Sequence, residues 1–219
     1  MSRGIKPTLI AVALSASAAL GYVTYRVVFD RAPAEAHGGH EQAAELHRGA
    51  DHDHAAEHQA SALPDELPDF SMAGLDGTEV SIRSWPGQPL VINFWATWCA
   101  PCLREIPMLK AFQDEHPWLT VVGIAIDDMA KVQAFAEEMG FNYPILVGQT
   151  EGVNAAASFG VEFYALPFTI FTAADGQTLG VRTGELHAEH LDELVAVLEA
   201  LRDGRTDIDG ARARLTELL

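Results

Sequence analysis

From residue 63 onward, runs of apolar residues suited to strands alternate with stretches of helical spacing. Short strand-like runs at 70–72 and 78–82 flank Asp76-Gly77, a common hairpin signal. The apolar run Pro89-Leu90-Val91-Ile92-Asn93-Phe94-Trp95 predicts a strand, and helical spacing takes over from about 100 to 115. A β-branched run over 119–126 suits a strand covered on both faces. Helical spacing over 129–139 stops at Gly140, and 143–147 and 153–159 read as a brief strand and a short helix. Two further strands, 168–172 and 177–183, form a second hairpin around Ala173-Ala174-Asp175-Gly176. The closing helix, 189–201, places Leu191, Leu194, Val195, Val197, Leu198 and Leu201 at core spacing. The tail, 203–219, reads either as one more short helix over 211–219 or as a frayed end. Together these predict a single α/β domain over residues 64–202.

The first 63 residues follow other patterns. Residues 7–25 carry no charge and would span about 28 Å as a helix, close to the hydrocarbon thickness of a bilayer. Val27, Val28 and Phe29 extend the run beyond a snorkelling Arg26. Arg3 and Lys6 precede the run with no acid, so residues 1–31 are expected to be a cytoplasmic start and a single-pass signal anchor of an inner membrane, with the folded domain outside the cytoplasm. A cleaved signal peptide is the main rival. It is disfavoured because Ala16-Ser17-Ala18 would be cut inside the apolar run and Ala32-Pro33-Ala34 lies beyond two arginines.

Residues 32–63 hold almost no large apolar side chain and read as a disordered, His-rich linker. Six of the nine histidines fall there: His37, His40, His47, His52, His54 and His58. Interleaved with acids, they are candidate weak ligands for Cu(II), Zn(II) or Ni(II), although a spacer without specific chemistry is the favoured reading. The net charge is −17, with 31 acidic against 14 basic residues, which repels polyphosphates and excludes nucleic acid as a partner.

Chemistry concentrates in Trp98-Cys99-Ala100-Pro101-Cys102, which holds both cysteines of the chain where the apolar strand gives way to a helix. Two intervening residues let both sulfurs sit in the first helical turn, where unpaired N–H groups and the helix dipole favour a thiolate. Cys99 is the expected nucleophile and Cys102 the resolving thiol. Tetrahedral zinc would want a second pair of ligands, and an inert disulfide closing so short a loop would add little stability. A redox dithiol, needing no cofactor, is the stronger reading.

With these residues in view, the stretch from about 64 to 201 resembles the TlpA/ResA-type thioredoxin-fold oxidoreductases. The matching residues are Val91-Ile92-Asn93-Phe94-Trp95-Ala96-Thr97, the Cys-Ala-Pro-Cys pair, Glu105 with Pro107, Val122-Gly123-Ile124-Ala125-Ile126-Asp127, and Leu166-Pro167 before a strand. The resemblance implies a thioredoxin-like fold: a central mixed sheet of about five strands, an N-terminal β-hairpin extension, and helices on both faces. It implies a Cys99–Cys102 redox disulfide and a cis peptide at Pro167, with Leu166 offering its backbone to an extended substrate. Trp98 and Pro101 are expected to contact the partner and tune the pair.

The buried Asp of cytoplasmic thioredoxins is matched here by Asn93, which cannot titrate. Glu105, on the helical face of Cys102, is therefore the candidate to take its proton, against the alternative of an ordinary surface acid. Its charge would also make Cys99 less acidic than the helix terminus alone would. The implied activity is reduction of partner-protein disulfides in cytochrome c or cytochrome oxidase assembly, with apocytochrome c or copper-site assembly proteins as partners. Electrons would come from a DsbD/CcdA-type transmembrane donor, because the extracytoplasmic thiol pool is oxidising.

Two rival readings remain. Sco-type copper chaperones share the fold and use a distant histidine, for which His187 and His190 are candidates, but they separate their cysteines by three residues. Thiol peroxidases want a proline at position 92, which here is Ile92.

Overall fold

The computed structural model describes residues 63–161 and 165–218. Three fully buried strands form its centre: β3 (Leu90–Trp95), β4 (Thr120–Ala125) and β6 (Phe168–Thr172). Each is a near-continuous apolar run, as expected of strands covered on both faces. β3 pairs in parallel with β4, from Leu90 opposite Thr120 to Trp95 opposite Ala125, and antiparallel with β6, where Asn93 faces Thr169.

The other strands are β1 (Ser71–Gly74), β2 (Glu79–Ser81), β5 (Ile145–Val147) and β7 (Thr178–Thr183). All seven make one mixed sheet in the order β2-β1-β5-β4-β3-β6-β7. The N-terminal hairpin β1-β2 thus extends the five central strands at one edge, as expected. It joins the central strands because β1 pairs antiparallel with β5.

Alternation along the strands divides the core. Val91 and Trp95 point to the face covered by α1 (Ala100–Glu115) and α4 (Ala188–Arg202), meeting Ile106, Leu109, Leu194 and Leu198. Ile92 and Phe94 point to the other face and meet Ala155 and Ala156 of α3 (Gln149–Ser158) and Phe159 beyond it. Trp95 is buried against Phe135 and Phe141, with ring centroids 5.6 and 5.5 Å away.

Local sequence sets most helix ends. In α2 (Met129–Met139) the Asp128 side chain accepts from the backbone of Ala130, at 3.0 Å, and of Lys131. Gly140 closes that helix at φ 57°, a left-handed cap that glycine adopts without strain. Pro107 lies inside α1, which still runs its full 16 residues. α3 begins four residues before the expected 153, because its first turn is polar and carries no apolar periodicity. After α4 the chain forms α5 (Ile208–Leu218), which packs on α4 and β7 and buries Ala211 and Leu215.

The first described residues are pinned to the β6–β7 turn. Leu67 N donates to Gly176 O at 2.7 Å, Thr178 N to Asp65 O at 3.0 Å, and Thr178 Oγ1 to Pro64 O. Among the described residues, no helix is long and apolar enough to cross a membrane. The expected anchor over residues 7–25 and the linker histidines lie outside the described residues.

Candidate active site

β3 and β4 are parallel, so both deliver their C-terminal ends to one edge of the sheet, where α1 starts. There Cys99 and Cys102 form a disulfide with an S–S distance of 2.04 Å and Cα atoms 5.3 Å apart. Cys99 is the N-cap of α1, in extended backbone, and its sulfur accepts from Cys102 N at 3.3 Å. Pro101 falls in the first turn, where its missing N–H leaves no helix bond unmade. Cys99 is 5% exposed and Cys102 fully buried, so the first sulfur is the one nearer to solvent.

The remaining substrate-side candidates lie at the same edge. Trp98 is 66% exposed, far more than any other large apolar side chain described. Leu166 and Pro167 precede β6, and their peptide bond is cis. The antiparallel register ends at the Phe94–Phe168 pair, so Pro167 follows directly beyond it, on the side of β3 that leads to Cys99. Pro167 O accepts from Gly184 N at 2.9 Å, which ties this turn to the end of β7.

Glu105 is no surface acid. It is only 2% exposed, on the same buried stripe of α1 as Cys102, Ile106 and Leu109. Its Oε1 accepts from Asn93 Nδ2 and its Oε2 from Leu186 N, each at 2.7 Å. Burial pushes the carboxyl up from its ordinary 4.5 to about 7, assisted by the Glu185 charge and opposed by those two hydrogen bonds. The same burial and the Glu105 charge raise the Tyr143 phenol as well.

Asn93 also donates to Thr169 Oγ1 at 3.0 Å, so one amide couples the helix carboxyl to β6. Thr169 and the Leu186 amide were not among the expected site residues. Thr169 did carry a signal, being polar in an apolar strand; Leu186 carried none, because its contribution is a backbone N–H.

The segment after β7 folds over the first turns of α1. Beside the Leu186–Glu105 bond, Arg104 Nε donates to Glu185 Oε1 at 3.0 Å, and Arg104 Nη2 pairs with Glu185 Oε2 at 2.5 Å. His187 caps α4 and its N–H donates to His190 Nδ1 at 2.9 Å. Burial and the Arg182 charge lower the pKa of His190, a neutral ring whose Nδ1 is already engaged. Among the described residues, no group of three or more His, Cys, Asp or Glu is placed to hold a metal ion. Ile92, where a peroxidase would need proline, sits mid-β3 between Val122 and Ile170.

A strained choice of chemistry is not needed to interpret two vicinal sulfurs at a helix start on this sheet: the protein is a thiol–disulfide oxidoreductase with a thioredoxin-like fold. The chain belongs to the AhpC/TSA family, whose sequence model matches residues 63–178. It is similar to the thioredoxin-like protein YneN of Bacillus subtilis (strain 168), with 31% identity over 133 residues, 58% of this chain and 75% of the relative. Similarity to the thiol-disulfide oxidoreductase ResA of Halalkalibacterium halodurans is 26% identity over 147 residues, 66% of this chain and 81% of the relative. Among solved structures, a secreted thiol-disulfide isomerase from Corynebacterium glutamicum matches with a TM-score of 0.55 and 26% identity, covering 66% of this chain and 95% of that one.

Proposed function

We propose that the protein is an extracytoplasmic, membrane-anchored reductase of partner-protein disulfides. The observation that carries this reading is Glu105: a buried carboxyl, one helical turn past Cys102, with a pKa of about 7. At that pKa it can accept a thiol's proton near neutral pH and release it again.

In the reduced protein, the Cys99 thiolate attacks one sulfur of the partner disulfide, forming a mixed disulfide and expelling the partner's other sulfur as thiolate. Cys102 then gives its proton to the Glu105 carboxylate. Its sulfur attacks Cys99 Sγ, closing the Cys99–Cys102 disulfide and releasing the second partner thiolate. Two electrons pass to the partner, and a DsbD/CcdA-type membrane dithiol donor restores the reduced pair. Trp98, Pro101 and the Leu166-Pro167 backbone contact the partner segment that carries its disulfide.

The ResA relative supports the chemistry, and the secreted isomerase supports both the chemistry and a site of action outside the cytoplasm. By the family resemblance, the substrates are proteins of cytochrome c or cytochrome oxidase assembly, such as apocytochrome c. Cys99→Ser is expected to abolish reduction of insulin disulfides, and retained activity would overturn the reading. Equilibration with glutathione tests direction: a potential of roughly −250 mV or lower fits a reductase, whereas one near about −120 mV would make the protein an oxidant.

A further inference from the structure

Cys99 is carried by a turn with few restraints of its own. Cys99 N donates to Ala96 O at 3.1 Å, closing a four-residue turn whose central residues are Thr97 and Trp98. The ends of the turn, Ala96 and Cys99, are buried, but Trp98 is largely in solvent and Thr97 half-buried, so packing does little to fix its centre.

One side chain grips it from outside. Asp127, just past β4, is only 3% exposed. Its Oδ2 accepts from both Thr97 N, at 3.1 Å, and Thr97 Oγ1, at 2.5 Å. Its Oδ1 accepts from Asp128 N at 2.8 Å and lies 3.9 Å from Lys131 Nζ. Burial pushes this carboxyl up, but the bonds from Thr97 and Asp128 and the Lys131 charge outweigh it and hold the pKa below its ordinary value. Asp127 is therefore ionised, and a buried carboxylate is tolerated only with such a set of partners.

Capping of α2 does not account for it, because the neighbouring Asp128 side chain already performs that task. Thr97, by contrast, directs both its backbone N–H and its hydroxyl to Asp127. We infer that Asp127 is a positioning residue of the exchange reaction, fixing through Thr97 the turn that aims the Cys99 sulfur at an incoming disulfide. The inference rests on Cys99 as the attacking sulfur. Displacement at sulfur is directional, and a misplacement of about 1 Å can cost on the order of a hundredfold in rate. The Asp127 charge itself would disfavour a nearby thiolate, so its benefit lies in geometry.

The test uses the reduced full-length chain and glutathione disulfide as the probe, with melting temperature recorded for every variant. Thr97→Val keeps the shape and the Asp127 charge but removes the hydroxyl donor, and should slow attack about tenfold or more. Asp127→Asn should slow it further, while Thr97→Ser, which restores the hydroxyl, should stay within about twofold of the parent. Thr120→Val removes another buried hydroxyl bond, to Gln88 at the far end of β4, and should lower the melting temperature without slowing attack.

Equal rates for Thr97→Val, Asp127→Asn and the parent would overturn the inference. So would an equal slowing by Thr120→Val, because the effect would then be general loosening. Mass mapping of the first sulfur alkylated by iodoacetamide separates the two levels. First labelling at Cys102 removes the nucleophile assignment itself, whereas labelling at Cys99 with unchanged exchange rates removes only the role of Asp127.

Discussion

Glu105 makes stability depend on pH in a direction opposite to that of a salt-bridged acid. Its folded pKa of about 7 lies above its ordinary 4.5, so between those values the folded protein keeps a proton that the unfolded chain has lost. Stability contributed by this group is therefore full below about pH 4.5, falls as pH rises to about 7, and is level beyond; the loss is about 3 kcal/mol. In oxidised Glu105→Gln the slope should vanish. The Asn93 amide can flip to offer its oxygen to the new NH2 group and to the Thr169 hydroxyl. The gain of the variant over the parent should be small at pH 4.5 and about 3 kcal/mol at pH 8 by urea unfolding. A gain independent of pH would show that Glu105 titrates elsewhere. The same substitution should slow resolution of a Cys99 mixed disulfide by about 10²-fold or more near pH 7, measured by quenched-flow trapping. That Glu105 shares the helical face of Cys102 was legible in the sequence from the i, i+3 spacing, and the structure shows that face as a buried stripe of residues 102, 105, 106, 109 and 112. Its second hydrogen bond was not, because it comes from a backbone amide 81 residues further on.

Elements whose apolar residues repeat regularly, such as β3, β4, β6 and α4, could be read directly from the chain. α3 is the exception that shows how the reading works. Its first turn, Gln149-Thr150-Glu151, has no apolar member, and its N-cap, Gly148, contributes no side-chain hydrogen bond. The glycine inside it, Gly152, reads as a helix weakener but fills a packing role. A Cβ there would stand 2.8 Å from Ile126 Cγ1. Gly152→Ala should gain about 1 kcal/mol of helix propensity and lose about 1–3 kcal/mol to overpacking. The expected outcome is a lower melting temperature, measured by circular dichroism; a rise would mean that Ile126 moves aside without cost. Strand ends also differ by a residue or two from expectation. In β5, residues 143 and 144 belong to the apolar run, yet the pairing with β4 begins only at Ile145.

At the scale of the whole molecule, the resemblance supplied what local pattern could not: one mixed sheet carrying an N-terminal hairpin, and a cis bond at Pro167. The joining of the N-terminal hairpin to β5 depends on a pairing between residues more than 70 apart in sequence, which no local signal encodes. α5 seals the end of the fold through Leu215, fully buried, and through Arg212, whose Nε donates to Thr178 O at 2.9 Å. Leu215→Ala should cost about 2–5 kcal/mol in chemical denaturation while leaving insulin reduction unchanged below the melting transition. A fall in activity with no loss of stability would connect α5 to the chemistry. Pro64 to Leu67 are fastened to the β6–β7 turn, and β6 runs antiparallel to the strand that leads to Cys99. Residues 64 to 67 are therefore held at the pole opposite the sulfurs, and a partner can dock at the reactive edge without loosening that fastening.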